Sequence, residues 1–153
     1  MVSAKNTFGA QHDEQSAEYQ RGMEEIHKQL GSMADSYIRK IKALSPEFAW
    51  VNVTFPFGEL YTSDVVDLKT RELCTVAALT VQGFSLLELK IHVKAALRCG
   101  ASREEVLGII TQMIAYCGFP AATNALMTAK EALDEVDGAP RKPNARAKAR
   151  AKR

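Results

Sequence analysis

Glu88 and His92 are the residues of this sequence whose types and spacing best fit proton-transfer chemistry. They are four positions apart on a predicted helix, so both side chains lie on one face, within hydrogen-bonding reach. A carboxylate beside an imidazole stabilises the protonated ring and fixes its tautomer, and such a pair can exchange a proton near neutral pH. Glu72, next to Arg71, faces the same pocket if its helix forms a hairpin across Gly83 with the helix of His92.

Two interpretations without catalysis account for the same pair. Ser85 and Glu88 have the spacing of a capping box, in which the glutamate reaches back to the serine amide at the start of a helix. A Glu–His pair four residues apart is also often a solvated surface contact. The spacing alone leaves these alternatives open.

The elements that position these residues are predicted to be helices. Apolar residues recur at steps of three and four from Tyr19 to Leu44, which predicts a long helix with a break near Gly31. Later helices are delimited by the capping signals Ser45-Pro46, Asp67, Ser85 and Ser102, the breaks Phe55–Gly58 and Gly118–Pro120, and the stop Gly138. No segment shows sustained alternation of polar and apolar residues, so the body is predicted to be all-α, with about six helices.

Three cysteines and three histidines limit the other kinds of chemistry. Cys74 and Cys99 fall on apolar helix faces and are expected to be small core residues, whereas Cys117 precedes a Gly-Phe-Pro break and is expected to be partly exposed. The cysteines form no metal-ligand spacing, so we expect no metal site. Reduced thiols, the lack of a secretory signal and the lack of an 18-residue apolar run favour a cytoplasmic protein without a membrane span.

The net charge of +2 is the sum of two opposite parts. All 18 acidic residues lie at or before Asp137, so residues 1–138 carry −5, whereas residues 139–153 carry seven Lys or Arg and no acid. We expect a mobile segment over 1–15, a folded domain over 16–138 and a disordered basic tail over 139–153. The tail could contact nucleic acid weakly through its charge, or serve only as a solubilising extension.

The order of short motifs resembles the carboxymuconolactone decarboxylase family, within the alkylhydroperoxidase D-like superfamily. The resemblance covers most of the body. It rests on the matching pieces Phe57-Gly-Glu-Leu-Tyr61, Asp67-Leu-Lys-Thr-Arg-Glu-Leu73, Glu88-Leu-Lys-Ile-His92, Ala95-Ala-Leu-Arg-Cys-Gly100, Arg103-Glu-Glu-Val106 and Ala115-Tyr-Cys-Gly-Phe-Pro-Ala-Ala122. It implies an all-α fold that assembles into homo-oligomers, as trimers or hexamers.

The resemblance also implies which chemistry to expect. The redox branch has two cysteines where this chain has Ser85 and Glu88, so a dithiol enzyme lacks its thiols here. The decarboxylase branch has Glu-Leu-x-x-His at Glu88–His92 and converts a carboxylated unsaturated lactone of aromatic compound catabolism without a cofactor. By this likeness His92, Glu88 and Glu72 are the expected catalytic residues, and Arg71 and Ser85 are expected to bind the small-molecule substrate.

One departure affects the substrate. The decarboxylase branch usually has an Arg-Pro-Gly loop where this chain has Ser63-Asp64-Val65-Val66, which replaces a cation suited to a dicarboxylate by an acid. We therefore expect a lyase acting on a small unsaturated lactone or keto acid. The alternatives are an antioxidant thiol enzyme using a nonstandard cysteine such as Cys117, and a noncatalytic oligomeric binding protein.

Overall fold

The computed structural model describes residues 12–138, and every regular element in that range is helical. The first half forms α1 (Ala17–Leu30), a 3-10 turn (Gly31–Met33), α2 (Ala34–Leu44), α3 (Pro46–Asn52) and a π-helical segment (Val53–Leu60). After a loop, the second half forms α4 (Leu68–Gln82), α5 (Leu86–Arg98), α6 (Arg103–Gln112) and α7 (Ile114–Asp137). The prediction of an all-α fold is confirmed, and the predicted break near Gly31 is the 3-10 turn.

Local capping chemistry begins several of these helices where the sequence predicts it. The side chains of Ser45 and Asp67 accept hydrogen bonds from the backbone amides three residues further on, at 3.2 and 3.0 Å. At Ser102 both halves of a capping box are present, because Glu105 also accepts a hydrogen bond from the Ser102 amide at 2.7 Å. These caps fix where α3, α4 and α6 start.

Two local predictions are wrong. Ser85 caps nothing with its side chain, because its hydroxyl group donates to the Gln82 side-chain oxygen at 2.9 Å instead. The expected break at Pro56 is a π-helical segment, in which the Tyr61 amide donates to the Pro56 carbonyl across five residues at 2.8 Å. Proline has no backbone N–H to donate. The five-residue spacing still gives the Pro56 carbonyl a donor, which is the Tyr61 amide.

The described residues bury two groups of apolar side chains. One fills the space between α4, α5, α6 and α7 and is built around Val76, Leu89, Val93, Val106, Ile110 and Leu133. The other joins α1 and α2 to the π-helical segment through Tyr19, Ile26, Leu30, Ile38, Val53 and Phe57, and Ile91 of α5 packs against it. Helix α5 therefore lies against both groups.

Helix α1 crosses the π-helical segment at a distance that only glycine permits. A β-carbon at Gly22 would overlap the backbone carbonyl of Val53, and one at Gly58 would lie 2.8 Å from the carbonyl oxygen of Glu18. Each helix thus presents a glycine to the backbone of the other. Direct backbone contact sets the position of α1 and of the α2 helix that follows it.

Of the two predicted terminal segments, 1–15 and 139–153, the structure describes only residues 12–15. The ring of His12 stacks on Trp50 with their centroids 5.1 Å apart, and Glu14 forms an ion pair with Lys42. The rest of the 1–15 segment, residues 1–11, and the basic tail 139–153 lie outside the described residues.

Between residues 12 and 138, no single helix has the length and apolar composition needed to cross a membrane. Only α6 and α7 taken together meet that criterion, and they are bent by 120° relative to each other.

Candidate active site

A buried carboxylate–imidazole pair joins α4 to α5. The two helices form the predicted hairpin across Gly83, which brings residues 72 and 92 together although 20 positions separate them. Glu72 Oε2 lies 2.8 Å from His92 Nδ1, the Glu72 side chain has no solvent exposure, and that of His92 is 20% exposed. Glu72 therefore contacts His92 directly, but it lies behind the ring and is not among the residues that line the cavity beside His92.

The pair fixes which histidine nitrogen is available for chemistry. An ionised carboxylate can only accept hydrogen bonds, so Nδ1 carries the hydrogen and donates it to Glu72. Nε2 is then the ring nitrogen that can exchange a proton with a ligand. The arrangement suits a general acid that is recharged from solvent.

His92 lines a cavity of about 590 Å³ between α5 and the α1–α2 region. This volume is within the range of pockets for small organic molecules. Its walls are mainly apolar, and a few polar groups converge on it; the lining residues are Leu30, Ser32, Met33, Ser36, Tyr37, Lys40, Phe57, Leu87, Glu88, Ile91 and His92. Apolar walls with a few polar groups favour a small ligand that has an apolar body and a few polar substituents.

Glu88 lines the same cavity but does not pair with His92. Within residues 12–138 no hydrogen bond joins the two side chains, so the predicted Glu88–His92 contact is wrong. His92 directs its Nδ1 toward Glu72 instead. A buried carboxylate such as Glu72 costs more free energy without a hydrogen bond than an exposed one such as Glu88, which water can solvate. The charge of Glu88 instead affects Tyr37. Burial is the main cause that raises the pKa of Tyr37, and the negative charge of Glu88 raises it further.

Arg71 and Ser85 lie outside the lining of the cavity. The Arg71 guanidinium donates to the carbonyl oxygens of Val66 and Ser63, at 2.8 and 3.1 Å, and so holds the loop before α4. Ser85 is engaged with Gln82, as described above. Direct substrate binding by either residue stays a prediction.

Tyr61 is a member of the site that the sequence reasoning missed. Thr75 gives its single hydroxyl hydrogen to the Arg71 carbonyl at 3.0 Å, so Tyr61 is the donor in its 3.0 Å bond to Thr75. Burial, together with the negative charge of nearby Glu72, raises the pKa of Tyr61 to about 12. Tyr61 is therefore a neutral hydroxyl beside the carboxylate of the pair. Its stacking on Phe57, with centroids 5.4 Å apart, depends on the π-helical turn that the sequence did not predict.

The cysteines do not form a thiol site of the redox kind. Cys74 is exposed, so its predicted core position is wrong, while Cys117 has the intermediate exposure that its position predicts. The Cys117 thiol donates a hydrogen bond to the Met113 carbonyl at 3.1 Å. For Cys99, burial first and then the charges of Glu72 and Glu25 raise the thiol pKa to about 11.

A search of residues 12–138 finds no group of three or more His, Cys, Asp or Glu side chains arranged to hold a metal ion.

Comparison with known proteins places this geometry in a family. The model of the carboxymuconolactone decarboxylase family matches residues 46–131, which include Glu72, Glu88 and His92. The chain is 28% identical over 127 residues to the 4-carboxymuconolactone decarboxylase of Acinetobacter baylyi, covering 82% of this chain and 94% of that protein. It is also 34% identical over 101 residues to an uncharacterized 15.0 kDa protein in the nqo9-nqo10 intergenic region of Paracoccus denitrificans, covering 65% of this chain and 75% of that protein. The chain belongs to the carboxymuconolactone decarboxylase family.

Proposed function

We propose that this protein is a cofactor-free carboxy-lyase that decarboxylates a small unsaturated lactone or keto acid. The observation that carries the proposal is the 2.8 Å hydrogen bond between His92 and the fully buried Glu72. The ring of His92 lines a cavity of about 590 Å³. Membership of the family and the likeness to a decarboxylase support the same class of reaction.

The proposed reaction needs an electron sink and a proton. The bond between the ring carbon and the leaving carboxylate breaks, carbon dioxide departs, and the bonding electron pair passes into the conjugated carbonyl of the substrate. His92 Nε2–H then gives its proton to carbon in the resulting enolate, and solvent restores the imidazolium. Glu72 accepts the Nδ1 hydrogen bond throughout and so keeps Nε2 directed at the substrate, and the carbonyl of the substrate replaces a cofactor as the acceptor of electrons.

Glu88 has a different part in this proposal from the one the sequence predicts. Because Glu72 holds the histidine, Glu88 is free to face the ligand from the cavity wall. A homo-oligomer, as trimer or hexamer, also remains part of the proposal; it is supported by the highly exposed apolar side chains of Phe84, Tyr116 and Phe119.

The test is loss of ultraviolet absorbance when purified protein is mixed with carboxymuconolactone. Replacing His92 by alanine should lower kcat by about a hundredfold or more, the contribution of a positioned general acid. His92→Gln keeps a donor for Glu72 but cannot carry the proton, so it should fold and lose the same activity. His27→Ala is the matched control, because His27 pairs with Asp35 at 2.9 Å on the surface.

Two results would overturn the proposal. The first is turnover that survives both His92 variants, and the second is a wild-type protein inactive on every lactone and keto acid tested. A variant with all three cysteines replaced by serine distinguishes the lyase from the alternative of a thiol enzyme. The proposed lyase should retain full activity in this variant, whereas a thiol enzyme should lose it.

A further inference from the structure

The cavity beside His92 carries a cation that no predicted role accounts for. Lys40, on α2, lines the cavity together with His92 and Glu88. Within residues 12–138 no ion pair or hydrogen bond engages its ammonium group. Lys42, on the same helix, differs in this respect, since it pairs with Glu14. Lys40 is therefore available to a ligand.

We propose that Lys40 is a specificity-determining residue that binds a carboxylate which the substrate keeps through the reaction. The inference rests on the proposed lyase function and narrows its substrate class to dianions, in which one carboxylate leaves and the other pairs with Lys40. A lactone or keto acid with a single carboxylate is then a poor substrate.

The usual candidates for this task are engaged elsewhere. The loop at Ser63-Asp64 has no arginine, and Arg71 donates to two backbone carbonyls of that loop. Among the described residues that line the cavity, Lys40 is the single Lys or Arg. In this chain Lys40 on α2, and not the loop before α4, therefore supplies the cation for the retained carboxylate.

The charges around the cavity favour this division of tasks. Glu72 offsets the charge of the His92 imidazolium and Glu88 adds a negative charge to the wall, so without Lys40 the cavity would repel a dianion. Lys40 supplies the opposing charge, and the apolar side chains of Met33, Leu87 and others fill the wall between. The retained carboxylate takes no part in bond breaking, so Lys40 binds ground state and transition state alike.

The test compares two substrates in two lysine variants. Lys40→Met should raise KM for carboxymuconolactone by about tenfold or more, the loss of one charge-assisted contact at an exposed position, with kcat within about twofold. The ester of the retained side-chain carboxylate removes the charge, so wild type and Lys40→Met should turn it over alike. Lys42→Met is the matched control and should leave both substrates unchanged, whereas Lys40→Arg should restore most of the preference.

A binding experiment separates this inference from the lyase proposal. Muconolactone has the ring and the retained carboxylate but no leaving group, so calorimetric titration measures its affinity without turnover. Wild type should bind it about tenfold more tightly than its methyl ester, and Lys40→Met should bind the two equally. Lys40-dependent binding without turnover of any substrate would refute the lyase and leave the lysine assignment standing. Turnover with the same KM in wild type and Lys40→Met, or an equal rise in KM for acid and ester, would refute the lysine assignment alone.

Discussion

Replacing His92 by leucine removes the hydrogen-bond partner of a fully buried carboxylate while it conserves most of the side-chain bulk. Glu72 has no solvent exposure, and its other oxygen, Oε1, already lacks a partner among the described residues. The variant therefore leaves a buried carboxylate without the hydrogen bond that His92 donates. Leaving a buried acceptor without its hydrogen-bond partner costs about 1–3 kcal/mol, and more for a charged group, so we expect a loss of about 3 kcal/mol.

Urea unfolding at a fixed protomer concentration measures this loss. With a denaturant slope of about 2 kcal/mol per molar, the midpoint should fall by about 1.5 M. His27→Leu is the control, because the His27–Asp35 pair has nearly the same length but side chains 47% and 73% exposed. Its midpoint should change by less than about 0.3 M, as expected for a surface pair worth under about 0.5 kcal/mol.

The double variant Glu72→Leu/His92→Leu tests the reason for the loss. Removing both partners also removes the stranded charge, so it should be more stable than His92→Leu alone. If the two histidine variants lose equal stability, or if the double variant is less stable than His92→Leu, the buried charge is not what makes His92 structurally important.

Two further predictions concern other parts of the fold. Gly118 has φ 73° and ψ 172° inside α7, a conformation nearly confined to glycine, so Gly118→Ala should lower the free energy of unfolding by about 1–3 kcal/mol. At Gly108 a β-carbon would meet nothing within 4 Å, so Gly108→Ala should raise the free energy of unfolding by up to about 1 kcal/mol. Equal effects of the two substitutions in urea unfolding would contradict this prediction. Hydrogen bonds from Lys90 and Lys94 lower the pKa of Glu135 from 4.5 to about 2, so their stabilisation is present above pH 4.5 and is lost as pH falls toward 2. Wild type and Glu135→Gln should therefore differ in melting temperature at pH 6 and converge near pH 2, and a constant difference would refute the assignment.

Signals contained within a few residues were predictable from the sequence. The caps at Ser45, Asp67 and Ser102 depend on a side chain and an amide three positions away, so their residue types suffice to predict them. Ser85 has the same pattern and fails, because Gln82, from the end of the preceding helix, takes its hydroxyl group. The local rule does not include that competitor.

The site shows the same boundary between local and long-range information. The spacing of Glu88 and His92 places them on one helix, but it does not decide which carboxylate the imidazole chooses. That choice depends on Glu72 being fully buried where α4 packs on α5, a consequence of tertiary packing. The position of Lys40 in the cavity wall could not be predicted for the same reason, since it depends on α2 lying across the cavity from α5.

The glycine-to-backbone crossing of α1 over the π-helical segment has an evolutionary consequence. Six of the eleven residues that line the cavity lie between positions 30 and 40, outside the 46–131 stretch that the family model matches, whereas Glu72 and His92 lie inside it. Because main-chain contact at Gly22 and Gly58 fixes α1 against the π-helical segment, the exposed members of this wall, Ser32, Met33 and Lys40, can be exchanged without disturbing that crossing. In the proposed lyase, substitutions at positions 30–40 can therefore change ligand selectivity while the stretch that carries Glu72 and His92 stays unchanged.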